Sequence, residues 1–169
     1  MLATIKAPER FLAQVMVAPS ACYINDPETG YQGGFDRADI DELLETMESN
    51  FIGWSSSLAP AIMGAPLQPA LREELTESFC RNDPDIAKHF ARVTFLSDHR
   101  ADVPRSSTPA LILQCSEDLI APATAGDFLH RHLPRSQLQV IDNIGHCPHL
   151  SAPTASSCAM DAFLAATLR

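Results

Sequence analysis

Short apolar runs near both ends of the chain predict buried parallel strands. Residues 11–18 form the first run, and Ala110–Gln114 and Leu138–Ile141 form two more. Runs without polar alternation are typical of strands that are covered on both faces. After the second and third runs, residues 123–133 and 153–168 have the apolar spacing of helices. Strands that alternate with helices predict an α/β fold with a parallel sheet.

The middle of the chain has helical periodicity instead. Four segments show it: the first around Ile40, Leu43, Leu44 and Met47, the second over 51–62 with Pro60 expected to kink or end it, the third around Leu71 and Leu75, and the fourth from Pro84 onward. A crossover between two parallel strands needs one helix rather than four. We therefore predict a helical cap over residues 35–104, inserted between core segments 1–34 and 105–169.

Composition and charge narrow the class of protein. With 46% hydrophobic and 20% charged residues, the chain is typical of a globular domain, and its formal net charge of −9 argues against binding nucleic acid or anionic membranes. There is no apolar signal-peptide core and no run of about 18 apolar residues. The five cysteines are widely spaced without a Cys-x-x-Cys pair, which favours reduced thiols in the cytoplasm over disulfides or zinc.

Two residues with catalytic chemistry follow neighbouring predicted strands. Asp118 comes shortly after Gln114, and His146 comes shortly after Ile141. Both positions lie at the carboxyl ends of parallel strands, where open α/β sheets place their sites, and adjacent strands are only about 4.8 Å apart. A carboxylate that accepts from one imidazole nitrogen leaves the other nitrogen free to take a proton from a hydroxyl. The order and spacing predict an acid–base pair.

Simpler interpretations of these residues stay open at this point. Asp118 also suits a turn or helix cap, and His146 suits a loop histidine bonded to the backbone. A metal site at His146 and His149 would need three or four ligands, and the sequence supplies no nearby cluster, so we expect no metal. Cys147 is a weaker candidate for a thiolate nucleophile. Residues 97–99 read Ser-Asp-His, but adjacent residues cannot converge into a catalytic relay.

Six segments of the chain, in order, form a pattern that is typical of one protein family. They are Phe51–Trp54, Phe79–Pro84, Phe95–Arg100, Leu111–Cys115, Ile120–Ala123 and the Gly-His-Cys-Pro-His-Leu stretch within Gly145–Pro153. Together they closely resemble the RsbQ-type α/β-hydrolases, and the resemblance runs over essentially the whole chain. These bacterial proteins act in energy-stress signalling and are similar to the plant karrikin and strigolactone receptors.

The resemblance implies an α/β-hydrolase core with a four-helix, V-shaped cap over an apolar pocket. It assigns the catalytic acid to Asp118 and the catalytic histidine to His146, and it implies no cofactor. The aromatic residues of the cap become candidates for the ligand pocket, namely Phe51, Trp54, Phe79, Phe90 and Phe95. For Trp54, plain packing within the cap remains an equal interpretation. A small apolar ester or lactone is the implied ligand, and a signalling phosphatase or effector is the implied partner.

The chain departs from the family in one respect. Members carry a nucleophilic serine in a Gly-x-Ser-x-Gly turn, together with early strands and an oxyanion-hole loop, and none of the 169 residues forms that motif. We therefore expect the C-terminal part of a truncated serine hydrolase, with Val15, Val17, Leu111 and Leu113 exposed where strands are missing. The alternatives are a non-catalytic small-molecule receptor or signalling module and, third, a non-functional gene product.

Overall fold

The computed structural model describes residues 1–168. Within them, three strands and eight α-helices follow one another in this order: α1 (Leu2–Lys6), β1 (Gln14–Val17), α2 (Arg37–Ser49), α3 (Phe51–Met63), α4 (Pro69–Cys80), α5 (Pro84–Leu96), β2 (Ala110–Glu117), α6 (Ala123–His132), β3 (Ser136–Ile144), α7 (Pro148–Ser151) and α8 (Pro153–Thr167). Short 3₁₀ turns occupy Pro8–Arg10 and Val103–Arg105.

The three strands form one parallel sheet in the order β1-β2-β3. The register pairs Gln14 with Ala110 and Ala110 with Ser136, so the carboxyl ends of all three strands meet at one edge. The first strand covers only Gln14–Val17 of the predicted run 11–18, and it ends before Ala18, which adopts a positive φ of 46°. The third strand is longer than predicted and runs to Ile144, which brings its end closer to His146.

The central strand is buried between helices on both faces. Ile112 packs against Leu129 of α6 on one face, and Leu111 and Leu113 pack against Phe163 of α8 on the other. The expectation that Leu111 and Leu113 would be exposed is therefore wrong, because α8 covers them. Val15 is also partly buried, against the same cluster. Val17 is exposed as expected, and Phe11 and Leu12 before β1 face solvent as well, with Leu12 76% exposed.

Four helices lie between β1 and β2, as the apolar spacing predicts. Asp36 begins α2 with a capping box that it shares with Asp39, and the Asp83 side chain caps α5 by accepting from the Asp85 and Ile86 amides. Pro60 lies inside α3 and does not end it, since the helix continues to Met63 and stops at Gly64.

The four-helix cap has its own core and is also tied to the sheet. Buried side chains of α2, α3 and α5 pack together, namely Ile40, Leu44, Met47, Phe51, Ala91 and Phe95. At the end of α3, the Ile62 carbonyl accepts from the His146 amide at 2.8 Å, and the Ala65 amide donates to the Ile144 carbonyl at 2.8 Å. The cap therefore contacts the loop that follows β3. The exact boundaries at residues 35 and 104 stay a prediction.

Candidate active site

Asp118 and His146 meet at the carboxyl edge of the sheet. Asp118 lies in the turn that follows β2, and His146 lies two residues beyond the end of β3. A β-bulge between Cys115 and Glu117 adjusts the register just before the turn. Nδ1 of His146 is 2.8 Å from Oδ2 of Asp118, so a protonated Nδ1 donates to the carboxylate. This is the contact that the spacing of the two residues predicts.

The carboxyl group of Asp118 is fixed on both sides. Its side chain is 0% exposed, and its second oxygen, Oδ1, accepts from the Ile120 amide at 2.8 Å and the Ala121 amide at 3.0 Å. These two hydrogen bonds hold the carboxyl group in one orientation. Asp118 therefore fits both interpretations at once: Oδ1 stabilises the turn, and Oδ2 contacts His146.

The loop that carries His146 depends on a close approach between backbones. Gly145 has a φ of 118°, and its amide donates to the Glu117 carbonyl at 2.8 Å. A Cβ at this position would collide with the Met63 carbonyl and lie 3.0 Å from the Gly64 nitrogen. Glycine is therefore required before His146. Since Asp118 occupies Nδ1, Nε2 is the ring nitrogen that this contact leaves free.

An apolar cavity of about 610 Å³ lies between the cap and this pair. Its size is within the range of small-molecule sites. His146 forms part of its wall, and so do all five aromatic residues expected there: Phe51, Trp54, Phe79, Phe90 and Phe95. Phe90 is 70% exposed, which places it at the rim rather than in the interior of the cavity.

Trp54 is both a packing residue and a wall residue. Its ring stacks between two others, with centroid distances of 6.1 Å to Phe51 and 6.0 Å to Phe79 and interplanar angles of 20° and 16°. Such offset stacking stabilises the arrangement beyond the area it buries. Because Trp54 also lines the cavity, the two interpretations of this residue do not exclude each other.

Sequence reasoning missed Tyr23, which also lines the cavity. Tyr23 belongs to the loop after β1. The turn-forming residues of this loop do not predict that Tyr23 contacts the cap. Its ring contacts Phe95 edge to face at 5.2 Å. Burial and the negative charge of Asp118 raise the pKa of the Tyr23 phenol above its ordinary value. The phenol therefore stays protonated and can donate a hydrogen bond.

Cys147 is a poor candidate for the nucleophile. Its thiol lines the cavity next to His146, but burial, with a smaller contribution from Asp118, raises the pKa of Cys147 to about 11. A thiol with this pKa stays protonated near neutral pH, whereas nucleophilic attack needs the thiolate. The burial of this thiol therefore disfavours Cys147 as the nucleophile.

The other candidate chemistries are not assembled. Asp98 binds Arg100, and His99 Nδ1 lies 3.2 Å from Asp102, so residues 97–99 form no relay. Across residues 1–168, no three histidine, cysteine, aspartate or glutamate side chains come together as metal ligands. In the same part of the chain, no helix combines the length and apolar composition that crossing a bilayer requires.

The fold and the site together define a class of protein. A parallel sheet flanked by helices, a cap between two strands, and an acid and a histidine after consecutive strands are the arrangement of an α/β-hydrolase. A hydrolase from Oleispira antarctica superimposes with a TM-score of 0.89 at 39% identity, over 96% of this chain and 59% of that one. A bromoperoxidase from Bacillus anthracis shares the fold at 17% identity with a TM-score of 0.80, over 90% of this chain and 58% of its own.

The chain thus has the fold of the C-terminal part of an α/β-hydrolase, and its homologues are the karrikin and strigolactone receptor-type hydrolases. A probable esterase of Oryza sativa subsp. japonica is 35% identical over 153 residues, which are 90% of this chain and 56% of that protein. A strigolactone esterase of Pisum sativum is 34% identical, over 91% of this chain and 57% of its own length. A pimeloyl-[acyl-carrier protein] methyl ester esterase of Nitrosomonas europaea is 27% identical, over 88% and 60%.

These comparisons confirm the resemblance to karrikin and strigolactone receptor-type α/β-hydrolases, whereas the RsbQ-type assignment stays a prediction. The chain spans little more than half the length of the curated relatives named above. No family model matches the chain. The fold class is therefore established, whereas the activity, ligand and partner of the whole protein have to be argued from the site.

Proposed function

We propose that this chain supplies the acid and the base of a serine hydrolase that acts on a small apolar ester or lactone. The observation that carries the proposal is the 2.8 Å contact between His146 and the buried Asp118 at the wall of an apolar cavity. The nucleophilic serine and the oxyanion hole would come from a part of the protein outside these 169 residues.

The chemistry follows from the two nitrogens of His146. The contact with Asp118 fixes the tautomer that carries its proton on Nδ1, so Nε2 is the nitrogen that can accept a proton. Nε2 then removes the proton from the serine hydroxyl as the oxygen attacks the ester carbonyl, and it returns that proton to the departing alcohol. A water molecule releases the acyl group by the same two transfers. Throughout, the charge on Asp118 stabilises the imidazolium that forms at each transfer.

The character of the cavity supports an apolar ligand. Most of its wall is aromatic or aliphatic, with Met47, Leu58, Ile62, Leu75 and Ile120 adding to the aromatic residues. The polar groups of the wall are few, and Tyr23 and His146 are two of them. Such a surface gains free energy mainly by removing carbon from water. Two relatives, described as a strigolactone esterase and a pimeloyl-[acyl-carrier protein] methyl ester esterase, are esterases by name, which supports an ester or lactone as the ligand.

A small-molecule receptor is the second candidate. It is favoured by relatives described as karrikin insensitive 2 receptors in Petunia hybrida, 33–34% identical over 154 residues. In this case the same cavity binds the ligand without rapid turnover, and the cap contacts a signalling phosphatase or effector. The resemblance to RsbQ-type proteins would place such a role in stress signalling.

Turnover by the longer protein separates these candidates. We expect a longer protein that contains this chain together with the proposed nucleophilic serine to hydrolyse p-nitrophenyl acetate. The absorbance of the released p-nitrophenol measures the rate. Saturable binding of an apolar ligand without any hydrolysis would contradict the enzyme and favour the receptor. A protein that neither binds nor hydrolyses would contradict both.

Ligand binding should be visible through the single tryptophan. We expect the neutral apolar probe N-phenyl-1-naphthylamine to quench Trp54, the only tryptophan of the chain, because that ring lines the cavity. Phe79→Ala removes one side of the aromatic stack and should raise the Kd about tenfold. Titration of the fluorescence measures both effects.

Phe128→Ala is the matched control for this experiment. Phe128 makes aromatic contacts of its own, to Tyr31 at 4.9 Å and to His132 at 4.2 Å, but it is not part of the cavity wall. Its loss should leave the Kd unchanged. Equal weakening by both substitutions would mean that the probe binds elsewhere.

A further inference from the structure

Asn143 is a buried polar residue directly beside the His146 loop. It lies near the end of β3 and is 8% exposed. Its Nδ2 donates to the Gly145 carbonyl at 2.9 Å, with Cys115 Sγ as a second, weaker acceptor at 3.5 Å. Its Oδ1 accepts from the Ser151 hydroxyl at 2.6 Å. The side-chain amide thus joins two points of the chain, one on each side of His146.

We propose that Asn143 is a positioning residue that holds His146 against Asp118. The inference rests on the proposed function, since it gives a role to a residue that does not itself contact the cavity. Asn143 would act through the backbone of residues 145–147, and the 2.8 Å distance between Nδ1 and Oδ2 would depend on its amide.

The donor half of the amide satisfies a carbonyl that has no other partner. Gly145 is buried, and among residues 1–168 only Asn143 donates to its carbonyl oxygen. A buried carbonyl without a donor is unstable enough for the backbone to shift toward water or toward another donor. Any rotation of the Gly145 peptide moves His146, because the two residues share it.

The acceptor half anchors the other side of the loop. The Ser151 hydroxyl donates to Asn143, and the Ser151 amide donates to the Cys147 carbonyl at 3.0 Å. Asn143 is itself held to β2, because its backbone amide donates to the Ser116 hydroxyl at 3.0 Å. The loop is therefore fastened before and after His146 to a residue that the sheet keeps in place.

Only a side chain with a donor and an acceptor at this length can make both bonds. Leucine has nearly the same shape but neither group. Proton relays lose efficiency when their members move by about an ångström. The side chain of Asn143 therefore acts on catalysis through the position of the imidazole, and a measurement of that imidazole tests the idea.

The test uses the chain itself, labelled with ¹⁵N in histidine. We expect a hydrogen-bonded Nδ1–H signal of His146, assigned by its absence in His146→Gln, that exchanges slowly with water. In Asn143→Leu the exchange should be at least about tenfold faster, or the signal should be lost, because the bond to Asp118 is no longer held closed. Thermal unfolding is measured on the same samples.

Ser106→Ala serves as a control for a loss of stability alone. Ser106 is buried near the opposite end of the sheet, where its hydroxyl contacts Thr4 at 3.1 Å and Gln14 at 3.0 Å. This variant should unfold at a lower temperature with the wild-type exchange of the His146 proton. If Asn143→Leu also keeps the wild-type exchange, Asn143 is merely structural and the proposal is overturned.

Ser151→Ala replaces Asn143→Leu if that variant does not fold. It removes the Ser151 hydroxyl, which donates to Oδ1 at 2.6 Å and also lies 2.9 Å from the Cys147 carbonyl. Exchange about threefold faster is expected, and unchanged exchange would again overturn the proposal. Ester turnover is read separately. A longer protein that lacks turnover while Asn143 still controls the imidazole would contradict the proposed function and leave the positioning role in place.

Discussion

Replacing Asp118 by asparagine in the longer protein should lower kcat for p-nitrophenyl acetate on the order of 10³ to 10⁴-fold. The carboxylate accepts from His146 Nδ1 at 2.8 Å. An asparagine amide at this position can donate to Nδ1 instead, which favours the tautomer with its proton on Nε2. That nitrogen then cannot accept the serine proton. Steady-state kinetics measure the loss, and KM should change far less than kcat.

The chain offers a matched control for this substitution. Asp102 forms the second aspartate–histidine pair, with Oδ2 at 3.2 Å from His99 Nδ1, and neither residue lines the apolar cavity. Asp102→Asn should leave kcat and KM close to wild type. An Asp118→Asn variant with wild-type kcat would show that the pair has no role in turnover.

Gly145→Ala should reduce the free energy of unfolding by about 3 kcal/mol or more. An alanine there would have to adopt the positive φ of 118°, which is unfavourable by about 1–2 kcal/mol. Its Cβ would also collide with the Met63 carbonyl, and overpacking of this kind adds about 1–3 kcal/mol. Urea unfolding of the chain, followed by circular dichroism, gives the difference.

Gly30→Ala separates these two contributions. Gly30 also has a positive φ, 71°, but apart from its chain neighbours no heavy atom of residues 1–168 lies within 4 Å of an added Cβ. This variant should therefore show only the conformational part, about 1–2 kcal/mol. Equal losses in the two variants would mean that the contact between Gly145 and the end of α3 contributes nothing.

The sequence predicts the elements of this fold well where local chemistry decides them. The fourth cap helix begins at Pro84, as predicted, and the buried run at Ala110–Gln114 lies in the central strand, Ala110–Glu117. Pro60 shows the limit of local rules. Proline disfavours a helix interior, yet α3 passes through it, since the cap packs Ala59 and Met63 on either side into the interior.

The candidate site is predictable only in part, for a physical reason. Asp118 and His146 follow consecutive strands, so the spacing of parallel strands brings them together without further information. Tyr23 reaches the cavity through contacts with a distant segment. Asn143 bonds to residues close in sequence, but only because the loop folds around His146, and neither residue belongs to a motif with a fixed spacing. The burial of Leu111 and Leu113 likewise depends on where α8 docks, which the periodicity of that helix does not specify.

The hydrogen bond from the His146 amide to the Ile62 carbonyl joins the cap directly to the loop that carries the imidazole. The helix that ends at this bond also presents Trp54, Leu58 and Ile62 to the cavity. A bound molecule that pushes α3 outward would also pull on the His146 loop, because the two are joined by this hydrogen bond. A molecule that fits beneath α3 leaves the loop undisturbed. The shape of a ligand would thus affect the position of His146 through the backbone atoms of this one hydrogen bond.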